Sequence, residues 1–204
     1  NSSILIKIDT AYLSAEDYLT SLKTNLIIKN NQIFDLNLSS KFPNNEELKV
    51  SIKTNEKKEK ITTVFTNYAK PLVKKYQFIK GFDGGALDFY SVSSGKKINS
   101  NLKLYDFKLN EVPALTKLLT LASLQGIADL LSGEGIRFNE FEMKFNKDKG
   151  LMTIEEIYSI GPSISVLMDG YVQKDELISL RGTLVPATTI NKAIGSIPLL
   201  GDML

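Results

Sequence analysis

Apolar residues recur at every second position along much of this chain, and that alternation limits what the chain can fold into. In Glu47–Thr54, for example, Leu48, Val50 and Ile52 alternate with lysines and a serine. A strand with this pattern buries one face and leaves the other in water. The same alternation predicts further strands at 4–8, 26–29, 33–38, 61–65, 86–92, 98–104, 136–145, 150–160, 163–172 and 176–185.

Short polar breaks separate these segments, as expected for hairpins. The runs 146–150 and 173–175 contain lysine, aspartate, asparagine, glutamine or glycine, and Gly161-Pro162 marks another turn. About ten strands joined in this way form an antiparallel meander with one wet and one dry face. The predicted fold class is therefore mainly β.

A few segments break the alternation and predict short helices. Ser14 and Asp17 have the spacing of a helix start, which predicts a helix over 14–23. Apolar residues at helical spacing predict further helices over 67–78 and, most strongly, over 111–132. A final short helix is expected over 188–194.

Two strands change phase in the middle. In 102–109 the apolar positions are Leu102 and Leu104 and then Phe107 and Leu109, and 136–145 behaves in the same way. Such a shift means either a bulge that restores the facing or a strand whose apolar side rotates. The two copies are a degenerate repeat or two independent bulges, and we favour independent bulges.

Two absences limit the chemistry that the chain can perform. It contains no histidine and no cysteine, which removes histidine acid–base catalysis, cysteine nucleophiles and the usual zinc sites. The net charge of +2 does not suggest a nucleic-acid binder. We therefore expect no enzyme, no cofactor, no metal and no nucleic-acid partner.

The remaining charged motifs have ordinary interpretations. Neighbours such as Glu155 and Glu156 point to opposite faces of a strand, so they do not form an acid–base pair. The phase of Glu156 points it toward the apolar face, which indicates a bulge or a strand end. The glycine-rich run 81–85 predicts a tight turn rather than a phosphate loop. Lysine clusters at 57–60, 74–75 and 96–97 are interpreted as solubilising charge, with weak attraction to anionic lipid headgroups as the alternative.

The dry face of the meander must be covered by something. The predicted helices could cap part of it, or the sheet could fold into a sandwich or close into a barrel. In a third arrangement the sheet is a curved half-pipe whose apolar concave face is completed by a hydrophobic ligand.

A resemblance favours the half-pipe. The motifs that carry it are Gly161-Pro162-Ser163-Ile164, Met168-Asp169-Gly170-Tyr171-Val172, Leu180-Arg181-Gly182-Thr183-Leu184-Val185-Pro186-Ala187 and Ile190-Asn191-Lys192-Ala193-Ile194-Gly195-Ser196-Ile197-Pro198-Leu199-Leu200-Gly201. Together with 80–87 and 133–138, they resemble the C-terminal region of the AsmA-like proteins, specifically the YhdP-type branch. The likeness covers about residues 67–201.

The resemblance implies an open antiparallel half-pipe within a long periplasmic protein that is anchored in the inner membrane. Such proteins are thought to move phospholipids between the inner and outer membranes. We expect residues 1–204 to form a single β-groove segment, a fragment of a longer chain whose anchor is absent here. Residues 188–204 would form a cap, with the motif Pro186, Asn191, Pro198 and Gly201.

A lipid conduit needs apolar side chains rather than catalytic groups, and phospholipid acyl chains would be its partners. The expected groove residues are Leu48, Val50, Ile52, Leu87, Phe89, Leu102, Leu104, Ile136, Phe138, Met152, Ile154, Ile164, Val166, Ile178 and Leu180. The alternatives are a structural envelope scaffold that docks outer-membrane assembly partners without carrying lipid, and a closed barrel that binds one small apolar ligand.

Overall fold

The computed structural model describes residues 2–76, 79–110, 135–173 and 177–186. These residues form eleven strands and one helix. The elements are β1 (Ser2–Tyr12), β2 (Tyr18–Lys29), β3 (Gln32–Lys41), β4 (Glu47–Thr54), β5 (Lys60–Thr66), α1 (Lys70–Tyr76), β6 (Phe82–Ser94), β7 (Lys97–Leu109), β8 (Ile136–Asp148), β9 (Leu151–Ile160), β10 (Ile164–Gln173) and β11 (Leu177–Pro186).

All eleven strands belong to one antiparallel sheet whose spatial order is the order of the sequence. Each strand from β2 to β10 therefore pairs with the strand before it and the strand after it. Among the described strands, β1 pairs only with β2 and β11 only with β10, so the sheet stays open. The prediction of a mainly β, open and curved antiparallel meander is confirmed. The closed barrel and the two-sheet sandwich are wrong for this part of the chain.

Left-handed residues close the hairpins at one end of the sheet. Asn30 and Asn31 have φ angles of 50° and 58°, and Lys149 and Gly150 have 48° and 92°. Successive positive φ angles are typical of the tight turns that match the twist of paired strands. The turn predicted within 146–150 is confirmed, because Asp148 pairs with Leu151 directly across it. We call this end of the sheet the hairpin end.

The helix predicted over 14–23 is wrong. Strand β2 already begins at Tyr18, and the helix-start signal belongs to the turn that precedes it. The Ser14 hydroxyl accepts the backbone N–H of Asp17 at 3.0 Å and donates to the Asp17 carboxylate at 3.0 Å. The N–H of Leu13 also donates to the Asp17 carbonyl at 2.8 Å. A serine–aspartate pair at this spacing can thus cap a turn between strands as readily as a helix.

The helix predicted over 67–78 is present as the shorter α1, with residues 77–78 outside the described part. Pro71 lies in its first turn, where a missing N–H costs nothing. The helices predicted over 111–132 and 188–194, and the cap over 188–204, also lie outside the described residues. No helix in the described part is long and apolar enough to cross a membrane. We call the end of the sheet beside α1 the helix end.

The predicted phase shifts form one kink that crosses neighbouring strands. In β7 the buried residues change from Leu102 and Leu104 to Phe107, and between them Asp106 has a φ of 51°. Tyr105 and Phe107 pair with Glu140 and Phe138 of β8, so the shift in β8 lies directly opposite. The two shifts are therefore not independent. The kink restores the facing, because Leu104, Phe107 and Phe138 share one buried cluster.

The main core lies at the helix end and joins α1 to the sheet. Its buried members are Ala69, Val73, Phe82, Leu87, Leu102, Leu104, Phe107, Ile136, Phe138 and Ile164. The ring of Phe107 stacks between the rings of Phe82 and Phe138, with centroid distances of 5.0 and 5.3 Å. A second cluster joins Leu19, Leu22, Phe42 and Leu48. Both clusters bury side chains of the same face of the sheet.

Candidate functional site

The pairing register places one residue from each of the eleven strands in a single row across the sheet. Directly paired residues project to the same face, so the row can be followed from strand to strand. We call it the middle row. Its members are Ile6, Thr24, Leu38, Val50, Val64, Phe89, Leu102, Met143, Ile157, Met168 and Gly182.

Three parallel rows lie on the same face. Toward the helix end, the helix row is Ser40, Leu48, Thr66, Leu87, Leu104, Phe141, Ser159, Val166 and Leu184. Toward the hairpins, the hydroxyl row is Ile4, Leu26, Leu36, Ile52, Thr62, Ser91, Ser100, Phe145, Ile154, Gly170 and Leu180. The outermost rim row is Thr54, Lys60, Ser93, Ile98, Lys147, Met152, Val172 and Ile178. These four rows define the apolar face, together with Ile8, which lies on the same side of β1 as Ile4 and Ile6.

Most hydroxyl groups on the apolar face are satisfied within the sheet. Ser40 donates to the Thr20 carbonyl at 2.9 Å and Ser159 donates to the Glu140 carbonyl at 2.8 Å. Ser100 donates to the Ser91 hydroxyl at 3.0 Å. A bonded hydroxyl demands little hydration, so these residues interrupt the apolar surface only weakly.

The opposite face carries the charges, and we call it the polar face. The Lys144 ammonium lies 3.1 Å from the Glu156 carboxylate. The Arg181 guanidinium donates two hydrogen bonds to the Asp169 carboxylate, of 2.7 and 3.0 Å. The bonds from Arg181 lower the pKa of the Asp169 carboxyl. Glu140 accepts a 2.9 Å hydrogen bond from the Tyr158 hydroxyl and thereby raises the pKa of that hydroxyl. Such cross-strand ladders are typical of a solvated sheet face.

The misfit at Glu156 is explained by a bulge, as predicted. The register of β9 shifts against β8 between Lys144 and Phe145, and against β10 between Met168 and Gly170. Strand β9 therefore has one extra residue at Glu155–Glu156 relative to both neighbours. The extra residue moves the Glu156 side chain to the polar face, where it pairs with Lys144.

A surface depression of about 740 Å³ opens beside this bulge, across β9–β11. Its lining includes Thr153, Glu155, Asp169 and Arg181. Three of its ten lining residues are charged, and the apolar side chains of Leu151 and Ile154 also line it. The described residues also contain no group of three or more acidic side chains arranged to bind a metal.

All fifteen predicted groove residues contribute to the apolar face or to the core that continues it past the kink. Twelve are in the four rows. Ile164 lies on the same face of β10, two residues before Val166 and one row nearer the helix end. Ile136 and Phe138 lie past the kink, in the core with α1.

The predicted groove residues fall into two groups, one buried by protein and one exposed. Leu87, Leu102, Leu104, Ile136, Phe138 and Ile164 are buried in the core that includes Ala69 and Val73 of the α1 segment, and Leu48 is buried in the second cluster. By contrast, Ile178 is 70% exposed and Leu180 is 41% exposed. The candidates on β11 are therefore exposed, whereas those near α1 are buried in a protein core. Of the cap motif, only Pro186 lies in the described part, as the last residue of β11.

Sequence reasoning missed other members of this face. They are Ile4, Ile6, Ile8, Leu26, Leu36, Leu38, Val64, Phe141, Met143, Phe145, Ile157, Met168, Val172 and Leu184. Several had been recognised as strand residues, but the alternation of one strand does not say which neighbouring residues share its face. That information comes from the register.

Comparison with known proteins adds no assignment: no protein-family model matches the sequence, and no curated protein or solved structure matches it significantly.

Proposed function

We propose that this chain is a non-enzymatic lipid-conduit segment of a periplasmic protein that moves phospholipids between the inner and outer membranes. The observation that carries the proposal is the apolar face, whose middle row crosses all eleven strands with apolar side chains at every position except Thr24 and Gly182. In its middle and hydroxyl rows there is no charged side chain. The resemblance to the AsmA-like proteins supports the same interpretation.

A continuous apolar face removes the main barrier to lipid movement. Each CH₂ group withdrawn from water contributes about 0.8 kcal/mol, so a sixteen-carbon chain represents about 12 kcal/mol. A lipid that leaves a membrane through water must overcome that cost. A lipid that slides along an apolar face exchanges one apolar contact for another, so no catalytic residue is needed.

Both edges of the sheet leave this face accessible. On β1, Ile4 and Ile8 are 39% and 40% exposed, and on β11 Ile178 and Leu180 are still more open. Exposed apolar side chains in a continuous patch are typical of a surface that binds an apolar partner. We therefore place the acyl chains against the edge strands and the rows nearest the hairpins, with phospholipid acyl chains as the partners.

A pair of neighbouring substitutions tests the proposal. Leu180 lies on the apolar face of β11, whereas Ser179 lies on the polar face because it pairs with Tyr171. Both are exposed. Leu180→Asp places a carboxylate against the acyl chains, which we expect to reduce the number of phospholipids that co-purify by at least half. Ser179→Asp adds the same charge to the other face and should leave that number unchanged. Native mass spectrometry of gently purified protein counts the bound lipids.

Other outcomes would contradict the proposal. A wild-type protein that carries no lipid would support the scaffold that docks assembly partners. Equal losses in Leu180→Asp and Ser179→Asp would mean that binding depends on charge and not on the apolar face.

A further inference from the structure

The apolar face has one charged region, and it lies in the rim row. Within the four rows as described, the only charged residues are Lys60 on β5 and Lys147 on β8. The two residues between them in the row, Ser93 and Ile98, are on β6 and β7. Two cations thus stand at the hairpin edge of a surface that is otherwise uncharged.

Besides Ile98, the residues between and beside the two lysines carry hydroxyl groups. The next row inward contains Thr62, Ser91 and Ser100 on β5, β6 and β7. Together with Ser93, they form a hydroxyl-lined patch flanked by the two ammonium groups. Ser91 and Ser100 are buried and hydrogen-bonded to each other, so they line the region without being free donors. We call the remaining polar residues, Lys60, Thr62, Ser93 and Lys147, the headgroup patch. Lysine ammonium and serine or threonine hydroxyl groups are ordinary donors to phosphate oxygens.

The spacing suits one phosphate group. Lys60 and Lys147 are three strand intervals apart, which is about 14 Å between their backbones. The flexible four-carbon stem of each lysine lets both ammonium groups turn toward the centre of the patch. Val64, Phe89 and Met143 of the middle row are only partly buried and continue from the patch toward the helix end. Acyl chains could therefore leave the patch along apolar side chains.

The lysines of the hairpin end also lack carboxylate partners. The segments 29–32, 54–60, 94–97 and 147–151 contain eight lysines and three carboxylates. None of these lysines lies within ion-pair distance of a carboxylate in the described part of the chain. At the helix end, Lys70 pairs with Asp83 at 2.6 Å and Lys74 pairs with Glu16 at 2.7 Å. These four segments of the hairpin end therefore carry a net positive charge.

We propose that the headgroup patch binds the anionic phosphate headgroup of a phospholipid whose acyl chains lie along the apolar face. The proposal rests on the proposed lipid-conduit function and adds the headgroup class and the orientation of the lipid. Headgroups face the hairpin end, and lipids with a net negative charge are preferred to zwitterionic ones. A lysine close to an anionic headgroup strengthens binding by about fivefold.

The test compares two lipids that have the same chains. Dihexanoyl phosphatidylglycerol is anionic and dihexanoyl phosphatidylcholine is zwitterionic, and both are titrated below their micelle concentrations. We expect the wild type to bind the anionic lipid at least about fivefold more tightly, with the preference falling as salt rises. In Lys60→Gln/Lys147→Gln the preference should disappear, while phosphatidylcholine affinity stays within about twofold of the wild type.

A matched variant controls for net charge. Lys41→Gln/Lys80→Gln removes two exposed lysines from the helix end, neither of which has an ion pair among the described residues. It should keep the full preference. A preference that survives in Lys60→Gln/Lys147→Gln, or that falls equally in the control, would overturn the headgroup patch.

Two further probes separate other sources of phosphate. Glycerol phosphate has the headgroup without chains, and tight binding of it would make the patch a free-phosphate site. Phosphatidylglycerol vesicles present an intact surface; binding to them without binding of monomeric lipid would make the hairpin end a membrane-docking edge. Both results would overturn the proposal. If wild type binds both lipids equally, the headgroup inference fails alone; if it binds neither, the conduit function fails as well.

Discussion

At the helix end of the sheet, side chains of β6, β7 and β8 pack together with Val73 of α1 and with Ala69 just before it. At the hairpin end, β7 and β8 carry lysines that have no ion pair with any described residue. Leu104 and Ile136 are 0% exposed at the first end. Lys97 and Lys147 are exposed at the second. One set of long strands therefore provides two environments.

One end of the sheet stabilises the fold, while the other leaves its side chains accessible. The helix end has the stacked phenylalanines, the kink and two ion pairs that involve α1. Because that end supplies much of the buried apolar area, the hairpin end and the edge strands need not be packed against protein. Substitutions of equal chemistry at the two ends should then have very different effects.

The largest contrast is expected between two isoleucines. Ile136 is fully buried at the helix end, whereas Ile178 lies in the rim row and is mostly exposed. Ile136→Ala leaves a cavity and should lower the free energy of unfolding by about 3–4 kcal/mol. Ile178→Ala should lower it by less than about 0.5 kcal/mol. Urea denaturation measures both, and equal losses would mean that the two ends are packed alike.

Two glycines with positive φ angles, one at the kink and one in a hairpin, allow a second comparison of the two ends. Gly85 has a φ of 72°, and a Cβ there would lie 2.9 Å from the Cβ of Phe107. Gly95 has a φ of 61°, and a Cβ there would meet nothing within 4 Å. Gly85→Ala combines backbone strain with crowding and should lower the free energy of unfolding by about 2–4 kcal/mol.

Gly95→Ala serves as the control because it has the backbone strain alone, about 1 kcal/mol. The thermal unfolding midpoint of both variants gives the comparison. If Gly95→Ala proved the more damaging, the kink would not be the constrained part of the sheet.

The smallest effect should come from the ion pair at the helix end. The hydrogen bond from Lys70 lowers the pKa of Asp83 below its ordinary value of 3.8. A carboxyl whose folded pKa is lowered stabilises the fold above its unfolded pKa, and that contribution is lost as the pH falls through the folded pKa. Both side chains are partly exposed, so the contribution is less than about 1 kcal/mol.

Asp83→Asn should therefore be slightly less stable than wild type at pH 7, and the difference should close below about pH 4. Denaturation at a series of pH values measures it. Lys97→Gln at the hairpin end removes a lysine that has no ion pair with the described residues. Its stability difference from wild type should not change as the pH falls. If the stability difference between Asp83→Asn and wild type increased at acid pH, the pKa of Asp83 would not be lowered in the folded protein.

The strands were predictable because each records its own burial pattern. The alternation of Leu48, Val50 and Ile52 gave the bounds of β4 as they are observed. The helix over 14–23 failed because Ser14 and Asp17 satisfy their polar groups in a turn, and the same two residues at the same spacing occur at helix starts. The hydrogen bonds that these residues can form therefore do not distinguish a turn between strands from a helix start.

The candidate site was only partly predictable. Most of the predicted groove residues lie on one face because alternation identifies the apolar side of each strand. The headgroup patch depends instead on Lys60 and Lys147, which are far apart in the sequence and meet in one row through four strands of register. Bulges such as the one at Glu155–Glu156 change that register by one residue, which no single strand reveals.

The strictly sequential strand order has a consequence for how the chain acquires its structure. Because each strand pairs only with its immediate predecessor and successor, strand pairing needs no contact between non-consecutive strands of the described chain. Assembly can spread hairpin by hairpin, as in linear repeat proteins, and a sheet of this size can form quickly for its strand count. The N-terminal hairpins could then take shape while the rest of the polypeptide is still being synthesised.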